Sequence, residues 1–278
     1  MKERILTEKI INDFRGQLTC EEKSQITIEK YVQDVRMFFL FVGKKEISKE
    51  LVLLYKEWLM NKYAARSVNS KLASLNSLFV YLGWVDCRVK SLKIQREIYV
   101  SEEKELTKNE YVRLLRATEQ NTRLKLVIET ICSTGIRVSE LKYFTVEGVK
   151  KGTVVVRCKS KTRNIILPNK LKRLLLQYAK KNRISKGAIF ITKNGKPLDR
   201  SNIWSDMKKL CKKANVNPEK VFPHNLRKLF ARTFYGIEKD IAKLADILGH
   251  SNIDTTRIYI ISTGFEHRKK IEKLGLVV

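Results

Sequence analysis

An arginine, a histidine three residues before a second arginine, a histidine behind a glycine, and a tyrosine nine residues further on occur in that order in the second half of this 278-residue chain. They are Arg137 in TGIRVSEL, His224 and Arg227 in PHNLR, and His250 and Tyr259 in ILGHSNIDTTRIYI. Together these groups suit transfer of a phosphoryl group to a tyrosine. A free phenol titrates near about pH 10, so an attacking tyrosine needs surroundings that take its proton or favour the phenolate. A phosphate under attack gains negative charge on its non-bridging oxygens. Planar guanidiniums meet two such oxygens at once, which an ammonium cannot do. Arg137 and Arg227 therefore read as a phosphate clamp that stabilises the transition state. His224 and Arg227 are spaced i, i+3 and would share one helix face. His250, behind Gly249 at a helix end, would donate to the same phosphate.

Any one of these residues alone says little. Tyr259 is one of ten tyrosines, and Arg137 is one of 57 lysines and arginines. Histidine is more telling, because the chain has three and two of them fall in these motifs. The third, His267, reads as surface tail. The signal is the ordered combination.

That combination resembles the tyrosine recombinases, the phage-integrase and Xer-type family. The resemblance is strong over residues 104–262 and looser over the first 85. It implies that Tyr259 attacks a DNA phosphodiester, leaving a 3′-phosphotyrosyl link and a free 5′-hydroxyl, with no metal or other cofactor. It also implies that Glu140, three residues after Arg137, orients the site. The β-rich runs Thr153–Cys158 and Asn164–Leu167 suggest a hairpin around the basic stretch 159–163. The family carries its catalytic lysine at the start of this turn, here Lys159, to protonate the leaving 5′-oxygen. Lys161 competes for that role because the loop is one residue shorter than in some relatives. The chain departs from the common pattern in two places. Lys228 stands where a second histidine often follows the arginine, and Ile260 and Ile261 follow the tyrosine. Two rival readings keep the fold and change the activity: a DNA-binding homologue without catalysis, and a type IB topoisomerase.

The formal charge is +28, which implies a polyanionic partner. The excess is uneven: residues 1–100 carry 18 basic and 12 acidic side chains, residues 101–278 carry 39 and 17. From Gly148 to Leu198 there are 15 lysines and arginines and no carboxylate, unlike a solvated surface that mixes signs. Five widely spaced cysteines suit free thiols in a reducing compartment. With no signal peptide and no apolar run of membrane length, the expectation is a cytoplasmic, nucleoid-associated protein.

The spacing predicts a mainly α protein with a small β-hairpin or sheet. A four-helix core-binding domain over 1–85 should start its helices at Thr7, Thr27, Ser48 and Ser67. A basic linker over 86–103 and a catalytic domain over 104–278 follow. The catalytic domain should open on the capping box Thr107–Glu110, with helices near 107–118, 122–133, 137–143, 169–182, 201–214, 224–236 and 239–248. Candidate DNA contacts are Arg66, Ser67, Asn69, Ser70 and Lys71 on the fourth helix, Lys93 in the linker, and Lys161 and Arg163 on the hairpin. The resemblance implies a C-shaped clamp on double-stranded DNA with inverted-repeat half-sites, a dimer per site and a tetramer in the synapse. Its tail, 265–278, ends apolar and docks either on a neighbouring protomer or on its own domain.

Overall fold

A computed structural model describes residues 4–95, 102–119, 121–158, 161–192, 194–261, 268 and 271–274. The chain forms two compact units, Met1–Arg96 and Glu97–Val278. The described residues are mainly helical with one two-stranded antiparallel sheet.

The first unit packs four helices: α1 (Glu8–Cys20), α2 (Gln25–Val42), α3 (Lys49–Lys62) and α4 (Ala65–Tyr81). Thr7 and Ser48 cap α1 and α3 through their hydroxyls as their positions predict. Two starts differ from expectation. Ser24, not Thr27, caps α2, and its hydroxyl accepts from the Thr27 amide. Helix α4 begins at Ala65 behind Ala64, without a side-chain cap, so Ser67 lies inside its first turn. The core holds Phe14, Leu18, Val35, Phe38, Tyr55, Leu59, Leu75 and Phe79. Within it, Asp34 is buried and compensated by Lys30, Lys71 and the Ser74 hydroxyl. Cys87 and Val89 belong to this same core. Asn76 and Asn69 hold the backbone at Val89 and Leu92, so the chain is anchored to the first unit up to Leu92.

The second unit opens with α5 (Lys108–Ala117), whose capping box between Thr107 and Glu110 is complete. Helix α6 (Thr122–Thr134) is its centre, burying Leu126, Val127, Ile128 and Ile131. The segment after Arg137 is a 3-10 helix, Val138–Tyr143, rather than an α-helix. A short helix that the spacing did not predict, α7 (Val146–Lys151), leads into β1 (Thr153–Cys158) and β2 (Lys161–Ile166). Cys158 pairs with Lys161, so Lys161, Thr162 and Arg163 are strand residues rather than loop. Helices α8 (Asn169–Lys181), α9 (Arg200–Ala214), α10 (Pro223–Glu238), α11 (Ile241–Leu248) and α12 (Ile253–Ile260) complete it. Asp199, not Ser201, caps α9. Helix α10 packs on α6 through Leu226 and Leu229, while α10, α11 and α12 bury Ala231, Leu244, Leu248 and Tyr259 together.

Candidate active site

Glycine ends α6 because the chain must turn at φ +65° beside another helix. A Cβ on Gly135 would meet Phe230 at 2.4 Å and Leu248 at 2.9 Å, so only glycine permits this approach. Two residues later Arg137 begins the 3-10 helix. Its backbone amide donates to Glu140 Oε2 at 2.7 Å and its Nη1 to Glu140 Oε1 at 3.2 Å. Glu140 is buried. Arg137 keeps 41 % of its side chain exposed, so it can still receive a ligand.

The hairpin reaches Glu140 from the other side. Val156 pairs with Arg163 and Val154 with Ile165, which puts all four on the sheet face that packs inward. Arg163 Nη2 donates to Glu140 Oε2, and its Nη1 donates to the carbonyl of Ile247 at 2.7 Å. Gly249, at φ +64°, caps α11, and a Cβ there would lie 2.8 Å from Arg163 Cδ.

Arg227 is almost fully buried on α10. Its Nη1 donates to the Gly135 carbonyl at 2.5 Å, and its Nη2 donates to the Leu248 carbonyl at 2.8 Å and to His250 Nε2 at 2.8 Å. The donor at Arg227 fixes the tautomer: Nε2 accepts, and Nδ1 carries the proton that it donates to the buried Thr256 hydroxyl at 2.9 Å. Arg227 Nε is buried and meets no acceptor in the protein. A guanidinium normally has its buried donors matched, so this one is an exception within the cluster.

Tyr259 sits on α12 between the two histidines. Its ring is edge-on to His224 at 5.0 Å and to His250 at 5.1 Å, and Arg227 lies 5.8 Å from its centroid. Tyr259 Oη is 3.5 Å from His224 Nδ1, the outer limit of a hydrogen bond. The structure thus brings Arg137, Glu140, His224, Arg227, His250 and Tyr259 into one cluster.

Burial lowers the pKa of both histidines, and the surrounding cations lower it further. His250 is pushed down to about 4, by burial and then by Arg227, Arg137 and Arg163. His224 is lowered by burial and then by Lys228, Arg227, Arg200 and Arg137. Burial also brings Arg227 down to about 10, still protonated at neutral pH. Both histidines are therefore neutral at pH 7, and a neutral His224 can accept a phenolic proton.

The remaining sequence candidates fall elsewhere. Lys159 lies outside the described residues, as does most of the tail, although Ile271 and Leu274 are exposed. Lys161 is in β2 opposite Cys158. Arg66, Ser67, Ser70 and Lys93 are exposed. Lys71 is turned onto Asp34 and Asn69 onto the Leu92 backbone. Lys228 pairs with buried Glu105, which also holds Arg232. Arg163 as a bridge, and Thr256 as the partner of His250, were not singled out from the sequence. Strand alternation could have pointed Arg163 inward; nothing in the spacing marks Thr256. Among the described residues no cluster of His, Cys, Asp and Glu could hold a metal ion.

The phage integrase family model matches residues 104–264, and the phage integrase N-terminal SAM-like domain matches residues 11–85. Tyrosine recombinase XerA of Pyrococcus horikoshii is 30% identical over all of this chain and 98% of its own length. The crystal structure of XerA recombinase matches with TM-score 0.55 at 26% identity, over 96% of this chain and 98% of that one. A λ integrase dimer bound to a COC′ core site shares the fold, with TM-score 0.76 at 17% identity over 93% and 96% of the two chains. The chain belongs to the phage integrase family, the tyrosine-type site-specific DNA recombinases.

Proposed function

We propose that this chain cleaves and rejoins duplex DNA with Tyr259 as nucleophile. One relationship carries the reading: a tyrosine hydroxyl held beside a neutral histidine, within a cluster of three arginines and one carboxylate. His224 Nδ1 takes the phenolic proton as Oη bonds to phosphorus. Arg137, open to solvent, holds the non-bridging oxygens, with the buried Arg227 guanidinium adding its positive charge behind it. The bond from phosphorus to the 5′-oxygen breaks, and Lys159 supplies that oxygen's proton. Burial and then the neighbouring arginines depress His250; the arriving phosphate offsets the arginines' share, so binding raises its pKa towards the form that donates. Religation runs the same steps backwards, with a 5′-hydroxyl attacking the phosphotyrosine.

The assembly follows from the partner. A λ integrase was solved as a dimer on its core site and as a tetramer on a Holliday junction. Two copies of this chain would likewise occupy inverted half-sites, and four would join two sites. The working place is the DNA itself, in the cytoplasm on the nucleoid; no helix among the described residues is long and apolar enough to cross a membrane. Covalent trapping on a nicked duplex tests the reading. A protein–DNA adduct that survives denaturation supports it. Binding without an adduct favours an inactive homologue, and relaxation of plasmids without site preference favours a topoisomerase.

A further inference from the structure

Three arginines surround the candidate phosphate site, yet they are not equivalent. Arg137 is 41 % exposed and so retains capacity for a ligand, while Arg227 is buried with its Nε unmatched. Burial does not separate Arg163 from Arg227, but its guanidinium is divided between the buried Glu140 carboxylate and the Ile247 carbonyl. A DNA phosphate could take Arg163 only by stripping it from a carboxylate that is 3 % exposed, leaving a buried charge with less compensation.

We propose that Arg163 is a positioning residue for DNA cleavage: it locks Glu140, and through it Arg137, against the Gly249–His250 turn, and does not itself bind DNA. The proposal rests on the recombinase reading above. Glu140 uses one oxygen for Arg137 Nη1 and the other for both the Arg137 amide and Arg163. Removing Arg163 frees the carboxylate that sets Arg137's backbone and side chain together. At the other end, α11 leaves its last carbonyls without helical partners. Arg163 takes Ile247 and Arg227 takes Leu248, so the helix end carrying His250 is held by two guanidiniums. The negative end of the helix dipole favours cations there. Gly249 is part of the same device, since its bare Cα lets the Arg163 stem lie across the turn. A lysine has one donor centre and cannot span the two acceptors.

The test compares wild type, Arg163→Gln and Arg163→Lys on two suicide duplexes. One carries an ordinary scissile phosphate and the other an uncharged methylphosphonate there, which has less need of a well-placed Arg137. On phosphate both variants should cleave on the order of a hundredfold more slowly, the loss that a misplacement of about 1 Å brings. On methylphosphonate the deficit should shrink at least severalfold. Half-site affinity and its salt dependence should match wild type. A salt slope lower by about one would make Arg163 a phosphate contact and overturn the proposal. An equal deficit on both duplexes would reduce it to a fold-supporting residue, and normal cleavage on phosphate would remove it altogether. If wild type forms no adduct on either duplex, the recombinase reading fails and this proposal falls with it.

Discussion

Arg227 Nη2 lies 2.8 Å from His250 Nε2, so the imidazole faces a cation and is held neutral. This arrangement suits a site waiting for an anion. Burial and three arginines push His250 down to about 4, and a bound phosphate would reverse part of that shift.

His250 should therefore titrate far below an ordinary histidine in the free protein and closer to neutrality on DNA. Because protonation is disfavoured in the folded state, it should also erode stability as pH falls from 6.5 towards about 4. NMR titration of the imidazole, with His250→Gln for assignment, measures both. A free-protein value near 6.5, or no rise on binding a half-site duplex, contradicts the electrostatic account.

Both motif glycines are tied to positive φ, but their surroundings rank them. Gly249→Ala should cost roughly 1–2 kcal/mol for the left-handed backbone, with Arg163 displaced. Gly135→Ala should cost more, because its Cβ would strike Phe230 and Leu248 in the packed core. Urea unfolding of the two variants gives the order. Equal or reversed losses would show that the α6–α10 approach is looser than described.

Lys159 should protonate the leaving oxygen. A 5′-bridging sulfur leaves without an acid, so Lys159→Ala should recover most of its cleavage rate on that substrate, and His250→Ala much less. Recovery by Lys161→Ala instead would move the role two residues along. Recovery by neither would send the search to another proton source.

Much of the site was legible because its chemistry restricts residue choice: nothing else in the chain matches the ordered set ending at Tyr259. The helices carrying it were also readable, since Leu226, Leu229 and Phe230 follow the helical period and Thr107 caps with Glu110 reciprocally. Boundaries slipped where several polar residues could cap. Ser24 won over Thr27 and Asp199 over Ser201, which local propensity does not decide. The hairpin turn was drawn too long because Lys161, Thr162 and Arg163 look polar, whereas strand pairing claims them. Partnerships across long separations were invisible. Lys71 finds Asp34, Lys228 finds Glu105, and Arg163 finds Glu140 only once the chain has folded. Each is a basic residue that composition alone would assign to DNA.

Tyr259, activated beside His224, should become joined to DNA. Wild type and Tyr259→Phe should be incubated with a nicked half-site duplex that cannot religate, then separated on a denaturing gel. Phenylalanine removes only the hydroxyl from a ring packed between two histidines, so folding and DNA affinity should persist. Wild type should give a shifted protein–DNA band and Tyr259→Phe none, with equal band shifts under native conditions. A covalent band of equal strength in the variant would contradict it and place the nucleophile on another side chain.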